Sequence, residues 1–119
     1  MTESYEFGKI AEKIAVEFLV KKGYFILKTN YRSKNAELDI IALYAAVLVI
    51  VEVKARSQDV FQQPQEAVDY KKRQRILSAA HDFVLSYNRQ EEVRFDIITV
   101  LKKHSEYTIQ HIEDAFGVV

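Results

Sequence analysis

Apolar and polar positions change their spacing along the chain from helical to strand-like. From Tyr5 to Lys22 the apolar residues recur with the period of an amphipathic helix, which Gly23 can close in the left-handed conformation. A strand is predicted for Tyr24–Asn30 and a loop for Tyr31–Asn35. The apolar stripe of the helix contains Phe7, Ile10, Ile14, Phe18 and Leu19.

The segment from Leu38 to Lys54 predicts a largely buried β-hairpin. Its two β-branched runs, LDIIAL and VLVIVEVK, meet near Ala45 and Ala46. A two-residue turn there pairs positions whose numbers sum to 91, which sets Asp39 opposite Glu52 and Glu37 opposite Lys54. The turn lacks the Asn or Gly that such turns prefer, and a loop of odd length would break this register.

The second half of the chain predicts one helix and two strands. After the polar link Gln58–Gln63, Pro64 is expected to open a helix that runs to about Asn88. Arg94–Leu101 and Tyr107–Ile112 alternate as strands do. The order αβββαββ predicts a single α/β domain over residues 1–119, with a mixed central sheet flanked by helices. The buried stripe of the second helix is predicted to be Val68, Ile76, Ala79, Ala80, Phe83, Val84 and Tyr87.

Composition narrows the possible functions only in part. Lys plus Arg and Asp plus Glu each number 17, so any affinity for nucleic acid must come from local patches. The absence of Cys excludes disulfides, thiolate zinc sites and cysteine nucleophiles. The N-terminus lacks the pattern of a signal peptide, and the longest apolar run has 12 residues, too few for a membrane helix. We therefore expect a soluble, cytoplasmic protein with no membrane partner.

The predicted hairpin gathers ionisable groups on one patch. Carboxylates at Asp39 and Glu52 would repel each other beside an apolar strand pair, so a positive charge is expected between them. Lys54 can supply part of it, and two hard carboxylates also suit Mg²⁺ or Mn²⁺, which activate water and neutralise charge on a phosphodiester. The ordinary alternative is that these are strand-end charges that reach solvent.

Other charged residues have simpler interpretations. Arg94 and Asp96 share one face of their strand, and an ion pair is favoured over a role in supporting the site. The basic stretch Lys71–Arg75 is either a solvated helix face or a contact to a phosphate backbone. The stem of Lys72 should lie over the apolar stripe, so its amine either reaches solvent or reaches phosphate. The three histidines, His81, His104 and His111, are interpreted as packed or surface imidazoles and not as metal ligands.

Taken together, the motifs resemble a known family. Asp39, followed after a dozen residues by Glu52-Val53-Lys54, resembles the core of the PD-(D/E)XK nuclease superfamily, and nearly the whole chain resembles its YraN-like bacterial family. Two glycines usual in that family are replaced here by Ala36 and Gln62. The resemblance is carried by Gly8 with Glu12, Ala36-Glu37-Leu38-Asp39, Val51 through Arg56, Ala67-Val68 with Lys72, Arg94-Phe95-Asp96, and Ile112 through Phe116.

This resemblance implies a restriction endonuclease-like fold and a set of site residues. Asp39, Glu52 and the carbonyl of Val53 are then expected to ligate Mg²⁺ or Mn²⁺, with Lys54 as the catalytic lysine. Glu12 would join them from the first helix, although on its own it is as readily a solvated helix charge. Supporting or substrate-binding roles are expected for Glu37, Arg56 and Lys72.

The expected function is hydrolysis of phosphodiester bonds by a metal-dependent nuclease. DNA is the favoured substrate, with branched or junction DNA among the candidates, and a homodimer is compatible with the resemblance. The alternative is a non-catalytic nucleic-acid-binding or protein-interaction module that retains the fold.

Overall fold

Two helices and five strands follow one another in the predicted order. The computed structural model describes residues 3–34, 36–57 and 69–117. Within these ranges the order αβββαββ is confirmed. The elements are α1 (Glu3–Lys21), β1 (Phe25–Arg32), β2 (Glu37–Tyr44), β3 (Val47–Ser57), α2 (Tyr70–Ser86), β4 (Glu92–Lys103) and β5 (Glu106–Phe116).

The strands form one mixed sheet in the order β1-β2-β3-β4-β5. Only β3 and β4 are parallel, and the other neighbouring strands are antiparallel. A parallel pair needs a crossover connection, and α2 lies in the segment that joins β3 to β4. In the strand order, β2 and β5 flank this parallel pair, so neither of its outer edges is exposed.

The helices pack on opposite faces of the sheet. Alternate residues of β3 point to opposite faces of the sheet: Val49 and Val51 pack with α1, and Leu48 and Ile50 pack with α2. Each helix thus has its own apolar cluster, which makes the sheet the middle layer of three. The helix residues buried in these clusters are Ala11, Ala15 and Leu19 of α1 and Ile76, Ala79, Ala80 and Phe83 of α2.

The β2–β3 hairpin has the predicted two-residue turn. Ala45 and Ala46 adopt φ values of 49° and 67°, the left-handed conformation that a primed turn requires, although neither is Gly or Asn. The pairing runs from Tyr44↔Val47 to Ile40↔Val51, so the predicted register is confirmed over these residues, but the pairing stops before the predicted pair of Asp39 with Glu52.

Some element boundaries differ from the prediction. The predicted start of the loop at Tyr31 was wrong, because Tyr31 and Arg32 still belong to β1 and pair with β2. Helix α2 begins at Tyr70, with Asp69 as its N-cap, so it starts later than predicted; Pro64 and Val68 lie outside the described residues. Tyr87 was predicted to be buried but is 46% exposed, since the helix ends one residue before it.

Both strands of the C-terminal hairpin are longer than the sequence pattern indicated. Their polar ends continue the antiparallel pairing as far as Lys103↔Glu106. Among the described residues, no helix is long and apolar enough to cross a membrane.

Candidate active site

Strands β2 and β3 separate at Asp39, and the candidate site lies in this gap. Past the pair Ile40↔Val51, the Oδ2 atom of Asp39 accepts a hydrogen bond from the backbone N–H of Val53 at 2.8 Å. The N–H and C=O groups of one strand residue point towards the same edge, so the carbonyl of Val53 also faces the gap. The side chain of Asp39 thus replaces a strand partner that β2 no longer provides.

A cavity of about 360 Å³ lies beside this gap. It is lined from four elements of the fold, with acidic residues from α1, β2 and β3 and basic residues from α2. The predicted site residues that line it are Glu12, Glu37, Asp39, Glu52, Val53 and Lys72.

Asp39 carries an unusual carboxyl group. Burial raises its pKa to about 8, and the nearby carboxyl of Glu52 adds to the rise, while the hydrogen bond from Val53 opposes it. Glu12 contributes a further, smaller increase. The carboxyl groups of Asp39 and Glu52 are thus close enough to affect each other. A cation bound between them would favour the ionised form of Asp39.

Two lysines neutralise Glu52. The Nζ atom of Lys72 lies 2.7 Å from Oε2 of Glu52, and that of Lys54 lies 3.8 Å from the same atom. Burial, together with the neighbouring charge of Lys72, lowers the pKa of Lys54 to about 8. Burial also acts to lower the pKa of Lys72, but Glu52 outweighs it and the pKa is raised. Lys72 therefore holds the countercharge of Glu52, and Lys54 is the lysine that gives up a proton more readily.

Glu37 contacts β1 and not β3. Asn30 donates through Nδ2 to the Oε1 atoms of both Glu12 and Glu37, at 3.2 and 3.4 Å, and Arg32 binds Glu37 at 3.2 Å. The predicted pairing of Glu37 with Lys54 was therefore wrong, because the register ends where β2 leaves β3. Asn30 was not among the predicted site residues. Its φ of 51° within a strand is left-handed, a conformation that Asn tolerates better than most residues do.

The structure places two further basic residues near this region. Arg75 of α2 lines the cavity, within the basic stretch that the sequence singled out. Arg56 donates to the carbonyl of Ala55 at 3.0 Å and does not line the cavity. A substrate contact by Arg56 stays a prediction.

A second polar cluster lies outside the cavity, around the fully buried carboxylate of Asp96. It accepts hydrogen bonds from Arg94 at 2.8 and 2.9 Å, and Nε2 of His111 lies 2.8 Å away. Burial alone would raise the pKa of Asp96, but these hydrogen bonds lower it. The predicted ion pair between Arg94 and Asp96 is thus confirmed. His111 is a packed imidazole, as interpreted, and His81 is exposed.

The residues at the gap fit a magnesium-type ion. In the part of the chain that the structure describes, no three His, Asp or Glu side chains are grouped to hold a metal. Asp39 and Glu52 nevertheless offer two carboxylates, and the carbonyl of Val53 faces the same gap. Mg²⁺ commonly takes one or two carboxylates and keeps several waters, so this donor set suits Mg²⁺ or Mn²⁺.

Comparisons with known proteins agree on one family. A family model described as "Uncharacterised protein family UPF0102" matches residues 11–100. UPF0102 protein FP2501 of Flavobacterium psychrophilum is 48% identical over 116 residues, covering 98% of each chain. A UPF0102 protein of Parabacteroides distasonis is 46% identical over 116 residues, covering 98% of this chain and 96% of its own. UPF0102 protein TTE1452 of Caldanaerobacter subterraneus is 44% identical over 113 residues, covering 92% and 93%. The chain therefore belongs to the UPF0102 family.

Proposed function

We propose that this protein is a divalent-metal-dependent nuclease of restriction endonuclease-like fold that hydrolyses phosphodiester bonds in DNA. The observation that carries the proposal is that Asp39 and Glu52 lie together where β2 leaves β3 and line an open cavity. Lys54 does not line this cavity, but its Nζ lies 3.8 Å from Glu52. The central parallel pair and a helix on each face of the sheet are compatible with this fold. The resemblance to the PD-(D/E)XK pattern supports the same assignment.

Each residue of the gap has a role in this chemistry. Asp39, Glu52 and the carbonyl of Val53 would hold Mg²⁺ or Mn²⁺, which lowers the pKa of bound water and offsets charge on the phosphate. The backbone N–H of Val53 fixes Asp39, and Lys72 fixes Glu52.

Lys54 is suited to act on the reacting atoms. With a pKa of about 8 it exchanges protons near neutral pH, so its Nζ can orient the attacking water or donate to a phosphate oxygen. The water oxygen bonds to phosphorus and loses a proton, the bond from phosphorus to one sugar oxygen breaks, and that oxygen takes up a proton, so that the proton given up by the water balances the one gained by the leaving oxygen.

The rival function is a non-catalytic module that binds nucleic acid or protein. One observation favours it: Lys72 and Lys54 both pair with Glu52, so the chain itself supplies the countercharge of this carboxylate. Such a module would not need divalent cations. Metal binding therefore discriminates the two functions.

The deciding experiment measures cleavage of a DNA panel with Mg²⁺ or Mn²⁺. The panel contains single-stranded, duplex, flapped and four-way-junction DNA, and the wild type is compared with Glu52→Gln, Asp39→Asn and Lys54→Ala. We expect cleavage by the wild type and at least a ~100-fold loss in each variant, as for removal of a positioned catalytic group. Mn²⁺ binding, followed by electron paramagnetic resonance, should weaken in the two carboxylate variants and persist in Lys54→Ala.

Matched controls come from exposed positions of α1. Glu17→Gln and Lys13→Ala make comparable changes outside the cavity and should cleave and bind Mn²⁺ like the wild type. The nuclease assignment would be contradicted if the wild type bound DNA but neither cleaved it nor bound Mn²⁺, and if the Glu52 and Asp39 variants bound DNA equally well. This result would establish the binding module.

A further inference from the structure

We propose that the cavity at Asp39 and Glu52 continues past Gly8 into a second subsite, which binds one unpaired nucleic-acid strand leading away from the cleaved phosphate. This inference rests on the proposed nuclease function and specifies its substrate: nucleic acid with a single-stranded extension next to the cleavage point.

The two cavities share their walls. A second cavity of about 530 Å³ lies between α1 and the β1–β2 pair. Gly8, Glu12 and Glu37 line both cavities, so the two cavities adjoin each other along these residues. Each volume lies within the roughly 300 to 1,000 Å³ typical of small-ligand sites, enough for a nucleotide unit. The second cavity adds Tyr5, Lys9, Asn30 and Arg32.

Gly8 has no side chain that would occupy the space between the two cavities. Among the described residues, no atom lies within 4 Å of a Cβ atom added at Gly8, so none of these residues excludes a side chain there. Glycine inside a helix is less favourable than alanine, and none of the described neighbours packs so closely that it requires glycine here. Because Gly8 lines both cavities, a side chain at this position would project into their shared space.

The far cavity carries the chemistry that recognises an unpaired nucleotide. Lys9 lies with its Nζ 5.3 Å from the ring centre of Tyr5, and that ring is 48% exposed. An exposed aromatic ring beside an ammonium group can stack a base and contact the adjoining phosphate.

Arg32 supplies a second cation at this end. Its side chain is 77% exposed, and it pairs with Glu37 at 3.2 Å. An exposed ion pair contributes little stability, so a phosphate oxygen can compete for the guanidinium.

A single strand fits these contacts better than a duplex does. Stacking on Tyr5 requires a base released from its own partner, which flaps, overhangs and single strands provide. The carboxylates of Glu12 and Glu37, fixed by Asn30, repel phosphate and can accept hydrogen bonds from base amino groups. The strand would therefore run with its phosphates along Lys9 and Arg32.

The test fills the space between the two cavities with a side chain. Fluorescence anisotropy measures binding of a duplex with a single-stranded extension and of a blunt duplex of the same sequence. The proteins are the wild type, Gly8→Leu and the matched control Gly117→Leu. A Cβ atom at Gly117 also has no atom of the described residues within 4 Å, and Gly117 lines neither cavity.

We expect the wild type to prefer the extended duplex and Gly8→Leu to lose that preference, with affinity for the extension falling at least about tenfold. Gly117→Leu should behave like the wild type. Equal binding of both DNAs by the wild type, or an unchanged preference in Gly8→Leu, overturns the subsite.

Charge and ring variants test the contacts separately. Lys9→Gln and Arg32→Gln should each lower the slope of log affinity against log salt by about 0.7, as loss of one single-strand phosphate contact does, while Lys13→Gln should not. Tyr5→Ala should weaken binding of the extension by about 5- to 100-fold. Unchanged slopes and affinities would contradict the assignment of these residues.

Cleavage separates this inference from the function on which it rests. If the wild type cleaves the extended duplex and Gly8→Leu cleaves it equally well, the nuclease stands and the subsite falls. If the wild type neither binds nor cleaves any DNA, both fall.

Discussion

The carboxylate of Asp39 accepts a hydrogen bond from the backbone N–H of Val53 at 2.8 Å, and this contact joins β2 to β3 after their regular pairing has ended. The same contact directs Asp39 into the gap where Glu52 lies. Asp39 thus both connects the two strands and is a proposed metal ligand. Burial raises its pKa, and the hydrogen bond from Val53 opposes that rise because it favours the charged form.

Asp39 should make the metal-free protein less stable as the pH rises. Its pKa of about 8 in the folded chain exceeds the ordinary value of 3.8, so between these values the folded state holds a proton that the unfolded state has released. The free energy of unfolding therefore falls across this window. Asp39→Asn keeps an oxygen to accept the N–H of Val53 and cannot ionise.

Thermal unfolding at about pH 5 and about pH 8, without divalent ions, measures this effect. Asp39→Asn should gain stability over the wild type as the pH rises, by at least about 1 kcal/mol. The comparison stops near pH 8, because the lowered pKa of Lys54 adds a slope of opposite sign above it. Asp114→Asn, an exposed change, should follow the wild type. Parallel curves for Asp39→Asn and the wild type would refute the raised pKa.

Lys72 should stabilise the fold through Glu52. Lys72→Met removes the nearer of the two lysines that pair with Glu52, whose side chain is 6% exposed, and leaves Lys54 at 3.8 Å as its remaining ion-pair partner among the described residues. Losing one partner of a buried pair costs about 3 to 5 kcal/mol, and the partial exposure of Lys72 reduces our expectation to about 1 to 2 kcal/mol.

Urea unfolding at neutral pH checks this in a double-mutant cycle. Glu52→Gln combined with Lys72→Met should be more stable than the sum of the single changes indicates, because the uncompensated charge is gone. Additive losses would mean that Lys72 acts through packing alone.

The parts of the fold that depend on local pattern were predictable, and those that depend on distant chain segments were not. Alternating residues and a two-residue turn fix the hairpin register, so Ile40↔Val51 followed from arithmetic. The β2–β3 register ends at Ile40↔Val51, so Glu37 does not reach Lys54, and its partner is Arg32 of β1. The bridge that Asn30 makes to Glu12 spans separate elements, and no local pattern indicates it.

Asp96 should be the most costly polar residue to replace outside the cavity. It is fully buried and accepts from Arg94, from the backbone N–H of Asp114, and contacts His111. Asp96→Asn removes the negative charge and places an amide N–H donor against the donors of Arg94 and Asp114. We therefore expect the free energy of unfolding in urea to fall by about 3 to 5 kcal/mol. Arg94→Met combined with it should restore part of that loss. A loss below about 1 kcal/mol would show that the cluster is readily solvated.

The hairpin turn offers a stabilising change. Ala45 and Ala46 both hold positive φ values, where a Cβ atom costs roughly 1 kcal/mol or more per residue. Asn and Gly adopt this conformation with less strain, so Ala45→Asn with Ala46→Gly should raise the free energy of unfolding by about 1 kcal/mol. Ala115→Gly, in β5 without a positive φ, is the matched control and should lower it, because glycine gains freedom only in the unfolded chain. The turn lies at the far end of β2 from Asp39, so DNA cleavage should not change. Destabilisation by the Asn-Gly turn would show that the alanines at this turn make contacts that outweigh their backbone strain.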